Sequence, residues 1–178
     1  MKKSTRVVIV KYDPRWANMY AEERARIVDA LEGLDAAVEH VGSTSVPGLL
    51  AKPTIDILVV VPDPAAGKSA VAPLTGLGYE YRGELGIPGR FYFSKARRRT
   101  HHVHLYPRGH PEIERLVLFR DYLRAHADAA RAYAGLKRAL AERFSNDREA
   151  YTEAKSGFIK SIEEKARLFG DQGRKAEY

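Results

Sequence analysis

The stretch Thr54 to Val61 reads Thr-Ile-Asp-Ile-Leu-Val-Val-Val, and after its single acid every position is apolar. A strand with one face in water alternates apolar and polar residues, whereas a strand apolar at both parities has both faces covered. The chain must therefore build a sheet with helices on either side. The same stretch carries an electrostatic problem. Asp56 is an ionised group in an otherwise apolar strand, costly unless something meets it: a metal ion, Lys52, a histidine or loop amides.

At 178 residues the chain suits one domain with a full core. Arg6 to Val10 reads as a short strand. Asp13-Pro14 supplies an N-cap and a proline for the first helical position, and Trp16, Tyr20, Ile27, Leu31 and Leu34 follow at helical spacing, with Gly33 near the end. Ala37 to Val41 suits a second strand, and a polar loop with glycine and proline runs from Gly42 to Pro53. Asp63-Pro64 starts another helix, reaching about Leu77 and ended by Gly78. Tyr79 to Arg82, Arg90 to Ser94 and His102 to Tyr106 look like strands. Beyond Pro111 the pattern is helical over Glu112 to Ala125, Ala127 to Phe144 and Arg148 to Phe169. The expected class is α/β (α+β), a mixed sheet flanked by helices with a helical C-terminal third. One domain spans 6–170, its sheet-bearing part 6–107 and its helical part 111–170, and 171–178 forms a loose polar tail.

Several function classes fall away. No apolar run approaches the roughly 20 residues of a membrane span, and the N-terminus has no h-region, so neither a membrane partner nor a signal peptide is expected. The absence of cysteine excludes a disulfide framework and a thiolate metal site, and the composition fits a cytoplasmic protein. The net charge of +7 invites a nucleic-acid reading. Its dense part is Lys95, Arg97, Arg98 and Arg99, which reads as a solvated hairpin tip, so a small phosphorylated ligand is favoured over nucleic acid.

The chemistry concentrates between His40 and Val61. A strand enters Gly42-Ser43, whose sharp turn frees N–H groups and hydroxyls able to cradle phosphate, and the chain returns as the strand bearing Asp56. The segment Gly-Ser-Thr-Ser-Val-Pro-Gly-Leu-Leu-Ala-Lys-Pro-Thr-Ile-Asp-Ile, Gly42 to Ile57, closely resembles the GrpB-like family of the nucleotidyltransferase superfamily. Further matches are Tyr12 to Trp16 (Tyr-Asp-Pro-Arg-Trp), Gly78 to Gly83, Gly86 to Arg90, Arg99 to His104, Phe119 to Arg124, and Asp147 to Lys155, so the resemblance covers about 6–169. Some members occur fused to dephospho-CoA kinase.

The resemblance implies that Gly42, Ser43, Thr44 and Ser45 hold phosphate, with Lys52 near the same turn. It also implies a divalent metal, Mg²⁺ or Mn²⁺, held by acids at alternate positions of the strand and a third acid on its neighbour. Asp56 matches the first acid. The second position is Leu58, which cannot bind a metal, a departure that counts against two-metal catalysis. On the expected neighbouring strand His102, His104 and Tyr106 share a face, and Asp56 with His102 and His104 could form a site suited to Zn²⁺, Mn²⁺, Fe²⁺ or Ni²⁺ over Mg²⁺. The alternative is that the histidines bond one another or a phosphate. Tyr133 with Lys137 and Tyr151 with Lys155 are i,i+4 pairs on helical faces. Superfamily helices often give a lysine to the triphosphate and a ring to the base, which makes Lys137, Tyr151 and Lys155 candidates; otherwise these stems cover apolar surface. Arg90 suits a phosphate contact or a simple ion pair. Gly67-Lys68-Ser69 lacks the first P-loop glycine, since Pro62 stands there. His40 reads as a structural residue.

Three functions are open at this point. The first is a nucleotidyltransferase acting on an unknown acceptor, using Asp56 and its metal. The second is a nucleotide- or phosphate-binding module whose chemistry was lost with the second acid. The third is a metal-dependent hydrolase using Asp56, His102 and His104.

Overall fold

In the computed structural model, which describes residues 7–95 and 100–175, the doubly apolar stretch lies inside a five-stranded sheet. The strands are β1 (Ala37–Val41), β2 (Ile55–Val61), β3 (Tyr79–Tyr81), β4 (Phe91–Lys95) and β5 (His101–Pro107), ordered β1-β2-β5-β4-β3. β2 pairs with β5 in parallel and every other neighbouring pair is antiparallel, so the sheet is mixed, as expected.

Helices cover both faces, for the reason the sequence gives. Ile55, Ile57, Val59 and Val61 of β2 point into a core built with α1 (Arg15–Ala30), α2 (Pro64–Ser69) and α3 (Val71–Gly76), where Trp16, Ile27 and Leu74 are buried. On the opposite face Leu58 and Tyr106 pack with Val41 beneath Ile113, Leu116 and Val117 of α4 (Pro111–Ala125). The remaining helices are α5 (Ala127–Arg143), α6 (Arg148–Ala154) and α7 (Ser156–Lys175). Val46 and Leu49 anchor the β1–β2 connection to the helical third through Leu123 of α4, Tyr133 of α5 and Ile162 of α7. Among the described residues no helix is long and apolar enough to cross a membrane.

The structure corrects five local expectations. Residues 7–9 are not a strand: Val7 N–H donates to Ser145 O at 2.8 Å, and only Val10 forms a bridge, with Ala51. That segment is extended because it ties the β1–β2 connection to the α5–α6 junction, not because a sheet neighbour exists. The helix expected over 63–77 breaks at Ala70. Pro73 explains this, since it has no N–H for the Ser69 carbonyl and its ring crowds that group. The last expected helix divides at Lys155, where the Ser156 hydroxyl donates to Glu153 O at 2.7 Å. Lys95 is not part of a solvated tip: its Nζ lies 2.7 Å from the buried Glu23 carboxylate and donates to Leu77 O. Arg97, Arg98 and Arg99 lie outside the described residues. α7 continues past Gly170 to Lys175, into the stretch expected as a tail, and 176–178 also lie outside the described residues.

One glycine is fixed by close approach as well as by conformation. Gly42 has φ 73° and ψ −173°, a region that side chains other than glycine's scarcely enter. A Cβ there would stand 2.7 Å from Asp56 Oδ2. Gly42→Ala is therefore expected to destabilise the fold by about 1–3 kcal/mol, a loss measurable as a fall of Tm on the order of 2–10 °C by thermal unfolding. An unchanged Tm would show that this turn is not held as described.

Candidate functional site

Parallel pairing of β2 with β5 sets Asp56 beside His102 and Leu58 beside His104. Partners in a parallel ladder share a face, so both imidazoles stand on the same side as the carboxylate. His102 Nδ1 lies 3.2 Å and His104 Nε2 3.4 Å from Asp56 Oδ1. Of the side chains open to Asp56, the histidines are the ones that meet it. Burial alone would raise the Asp56 pKa; hydrogen bonding to His102 and His104 outweighs that and holds it well below the usual carboxylate range. The Tyr92 ring supports both imidazoles from β4, at centroid distances of 5.5 Å and 5.2 Å.

The donor set fits a cation. One ligand atom from each of Asp56, His102 and His104 lies within 4.8 Å of the others. With bonds of about 2.1 Å, neighbouring donors stand roughly 3.0 Å apart in an octahedron and about 3.4 Å apart in a tetrahedron. The two carboxylate–imidazole separations match these edges. Leu58, 1% exposed, lies in the apolar cluster under α4 and leaves the strand with a single acid.

Above this floor stands the connection between β1 and β2, whose residues Ser43–Ser45 form one short 3-10 turn. Its side chains divide between holding the turn and facing the cleft. The Ser45 hydroxyl donates to Gly42 O at 2.6 Å, and Arg124 Nε and Nη2 donate to Ser45 O at 3.0 Å and 2.8 Å. Thr44 Oγ1 lies 3.0 Å from His40 Nε2, and the His40 ring stacks on Tyr20 at 4.6 Å. Burial pushes the His40 pKa down to about 4. The Thr44 hydroxyl is therefore engaged with β1 and the Ser45 hydroxyl within the turn, and of the three turn hydroxyls Ser43 is the one that meets the helical wall of the cleft. Its Oγ accepts from Lys137 Nζ at 3.1 Å; the same Nζ also donates to Leu50 O.

The cleft, about 370 Å³, is walled by Lys52 from the connection, Tyr133 and Lys137 from α5, Arg148 and Tyr151 from α6, and Lys155 at the α6–α7 junction. Of its described lining residues Asp56 alone is acidic. Burial, followed by the Lys155 charge, depresses the Lys137 pKa to about 7. Burial, with Arg148 and Lys155, takes Lys52 to about 8, and burial also lowers Lys155. A dense cationic wall opposite one carboxylate suits a polyanion.

Most sequence candidates thus converge: Ser43, Thr44, Lys52, Asp56, His102, Lys137, Tyr151 and Lys155 line one cleft, with Gly42 and His104 against Asp56. Arg90 does not join them. Its guanidinium donates to the Glu84 and Leu85 carbonyls at 3.0 Å and 2.8 Å and lies over Tyr92, so it braces the loop before β4 instead of presenting a phosphate contact. The Gly67-Lys68-Ser69 run is part of α2, and Gly67 is packed against Phe91. Sequence reading missed Arg148. It follows the Asp147 N-cap, which accepts from Ala150 N–H at 3.0 Å, and it shares a helical face with Tyr151 and Lys155 at i, i+3 and i+7. That spacing was the available signal. Tyr133 and Thr54 were also missed as lining residues.

Comparison with known proteins gives a consistent placement. The chain is 42% identical over 163 residues to the UPF0157 protein YqkA of Bacillus subtilis (strain 168), covering 91% of this chain and 48% of that protein; it thus spans about half the relative's length. The crystal structure of conserved protein GrpB from Enterococcus faecalis superposes with a TM-score of 0.84 at 40% identity, over 89% of this chain and 96% of that one. More distantly, a mutant Cid1 poly(U) polymerase bound to MgATP shares the fold at a TM-score of 0.51 and 16% identity, over 75% of this chain and 44% of that one. The architecture is nucleotidyltransferase-like. The family model described as GrpB protein matches residues 6–165, and the chain belongs to that family.

Proposed function

We propose that this cleft binds the polyphosphate of a nucleotide against a divalent cation held by Asp56, His102 and His104, and that the protein transfers the nucleotidyl group to an acceptor. The observation that carries the reading is the opposition, across one cleft, of a three-donor cation site and a wall of Lys52, Lys137, Arg148 and Lys155. Ser43 and the lysines orient the phosphates. Asp56, His102 and His104 would hold the cation, which would supply charge to neutralise the phosphate oxygens and Lewis acidity toward the phosphoryl centre. The likeness to a polymerase bound to MgATP lends the fold precedent for such a ligand. Two imidazoles favour Zn²⁺ or Mn²⁺ over Mg²⁺.

Leu58 supports a second reading, in which the same ligand binds without turnover, because the strand lacks the acid that would help hold a second ion. Turnover decides between them. Incubation with nucleoside triphosphates and Mn²⁺ or Zn²⁺ is expected to release pyrophosphate, and Asp56→Asn to lower that rate more than about 100-fold with circular dichroism unchanged. Binding without release would establish the second reading, and release of phosphate without pyrophosphate would identify a hydrolase. At a ligand concentration of about 100 Kd, the metal–nucleotide pair is expected to add ~2.7 kcal/mol of stability, raising Tm on the order of 5–10 °C. No shift with any metal–nucleotide pair would sink both readings.

A pH dependence follows from the cationic wall. Lys137 falls from its ordinary value of 10.5 to about 7, so between these limits the folded chain carries fewer protons than the unfolded one. Stability of the free protein is therefore expected to rise with pH across that window. Bound polyphosphate restores the lysine's charge and flattens the slope, and affinity weakens above about pH 7 because binding then requires proton uptake. Lys137→Met should also flatten the slope of the free protein, measured by denaturant unfolding across pH.

A further inference from the structure

We infer that the cleft recognises its ligand through the phosphate chain alone and does not read a nucleobase. This rests on the phosphate-binding role proposed above and specifies which part of the ligand is recognised. A base is usually held by a ring on which it stacks or by groups that hydrogen-bond its edge. Among its described lining residues the cleft offers two tyrosine rings, Tyr133 and Tyr151, and both are closed; the third ring, the His102 imidazole, is taken up by Asp56 and Tyr92.

Tyr133 is 4% exposed. It lies parallel to Phe158 at 5.5 Å, meets the edge of Phe119 at 5.7 Å, and carries Lys137 Nζ at 4.4 Å from its centroid. Tyr151 is 2% exposed, packs with Val7 and Leu140, and has Lys155 Nζ at 4.5 Å and Lys52 Nζ at 5.7 Å from its centroid. Neither ring leaves a face open on which a base could lie. Their role is to seat lysines by cation–π attraction, which holds the ammonium groups toward the cleft while burial lowers their charge. The outer wall is no substitute: the side chains of Val8, Ala51 and Pro53 carry no hydrogen-bonding group, Arg148 belongs to the cationic wall that takes the phosphates, and the Thr54 hydroxyl, able both to donate and to accept, suits any base edge alike. A base reaching that wall would find contact without discrimination.

The test is calorimetric titration of the full chain in Mn²⁺ with tripolyphosphate and with ATP, GTP, CTP and UTP. All five are expected to bind within about threefold of one another, whereas stacking on an aromatic ring would weaken tripolyphosphate ~5- to 150-fold against the nucleotides. Preference for one nucleotide over the other three, or for all four over tripolyphosphate, beyond about tenfold would overturn base-blind recognition and leave the proposed site standing. Failure of all five to bind would remove the site itself, so the two ideas fail on different results. Tyr151→Leu adds a second measurement: it should weaken tripolyphosphate and nucleotides by the same factor, by releasing Lys52 and Lys155. A loss confined to the nucleotides would show that the ring is a base platform. Should the variant not fold, the five-ligand comparison decides alone.

Discussion

An ionised carboxylate on an inner strand is tolerable here because the strand beside it runs in the same direction and in one register. Asp56 retains 31% exposure of its side chain and is held by His102 and His104, both delivered by β5. A slip of one residue between β2 and β5 would move the two imidazoles to the other face, among Ile55, Ile57 and Val59, and strand the carboxylate. The parallel direction is made available by the chain's route after β2. It passes under the sheet as α2 and α3, turns through the β3–β4 hairpin, and re-enters between β4 and β2 as β5. Site and sheet are thus one arrangement.

The helical third answers the carboxylate with the opposite sign. Lys52, Lys137 and Lys155 share a partly buried space in which each discourages the protonation of the others or is discouraged by desolvation. Left alone, such a wall costs stability, which the apolar seams around Leu123, Ile162 and Leu140 offset from behind. A polyanion removes the repulsion. Strain of this kind, maintained by surrounding packing, is characteristic of binding surfaces.

What the sequence disclosed follows the range of the forces involved. The stretch at 54–61 announced a covered strand because periodicity is a local property, and the glycine–serine turn, Asp56 and the paired histidines were legible for the same reason. Arg6 to Val10 had strand-like composition yet no sheet neighbour, and a neighbour is a tertiary fact. The break at Ala70 was readable in principle from Pro73, but the Asp63-Pro64 start and Gly78 stop suggested one continuous helix. Arg90 followed a glycine at a strand edge, where a phosphate contact and a loop brace look alike; only the positions of the Glu84 and Leu85 carbonyls separate them. The tyrosines were read as pairs with their lysines, and the spacing held. Their burial depends on Phe158 and Leu140, which come from elsewhere in the chain and leave no local mark.

Leu58 then defines the chemistry this scaffold can support. It lies in register with His104 and is sealed by Val41, Tyr106 and Ile113, so it belongs to the core and no rotamer change would open a ligand position there. One carboxylate and two imidazoles can hold a single ion, and they prefer a softer one than the oxygen-rich sites that suit Mg²⁺. The positive charge that a second ion would bring to a phosphate chain has to come from side chains. On the proposed function, Lys52, Lys137, Arg148 and Lys155, which face Asp56 across the same cleft, supply that charge as fixed groups, and the protonation of the three lysines, unlike an ion's charge, responds to the ligand itself.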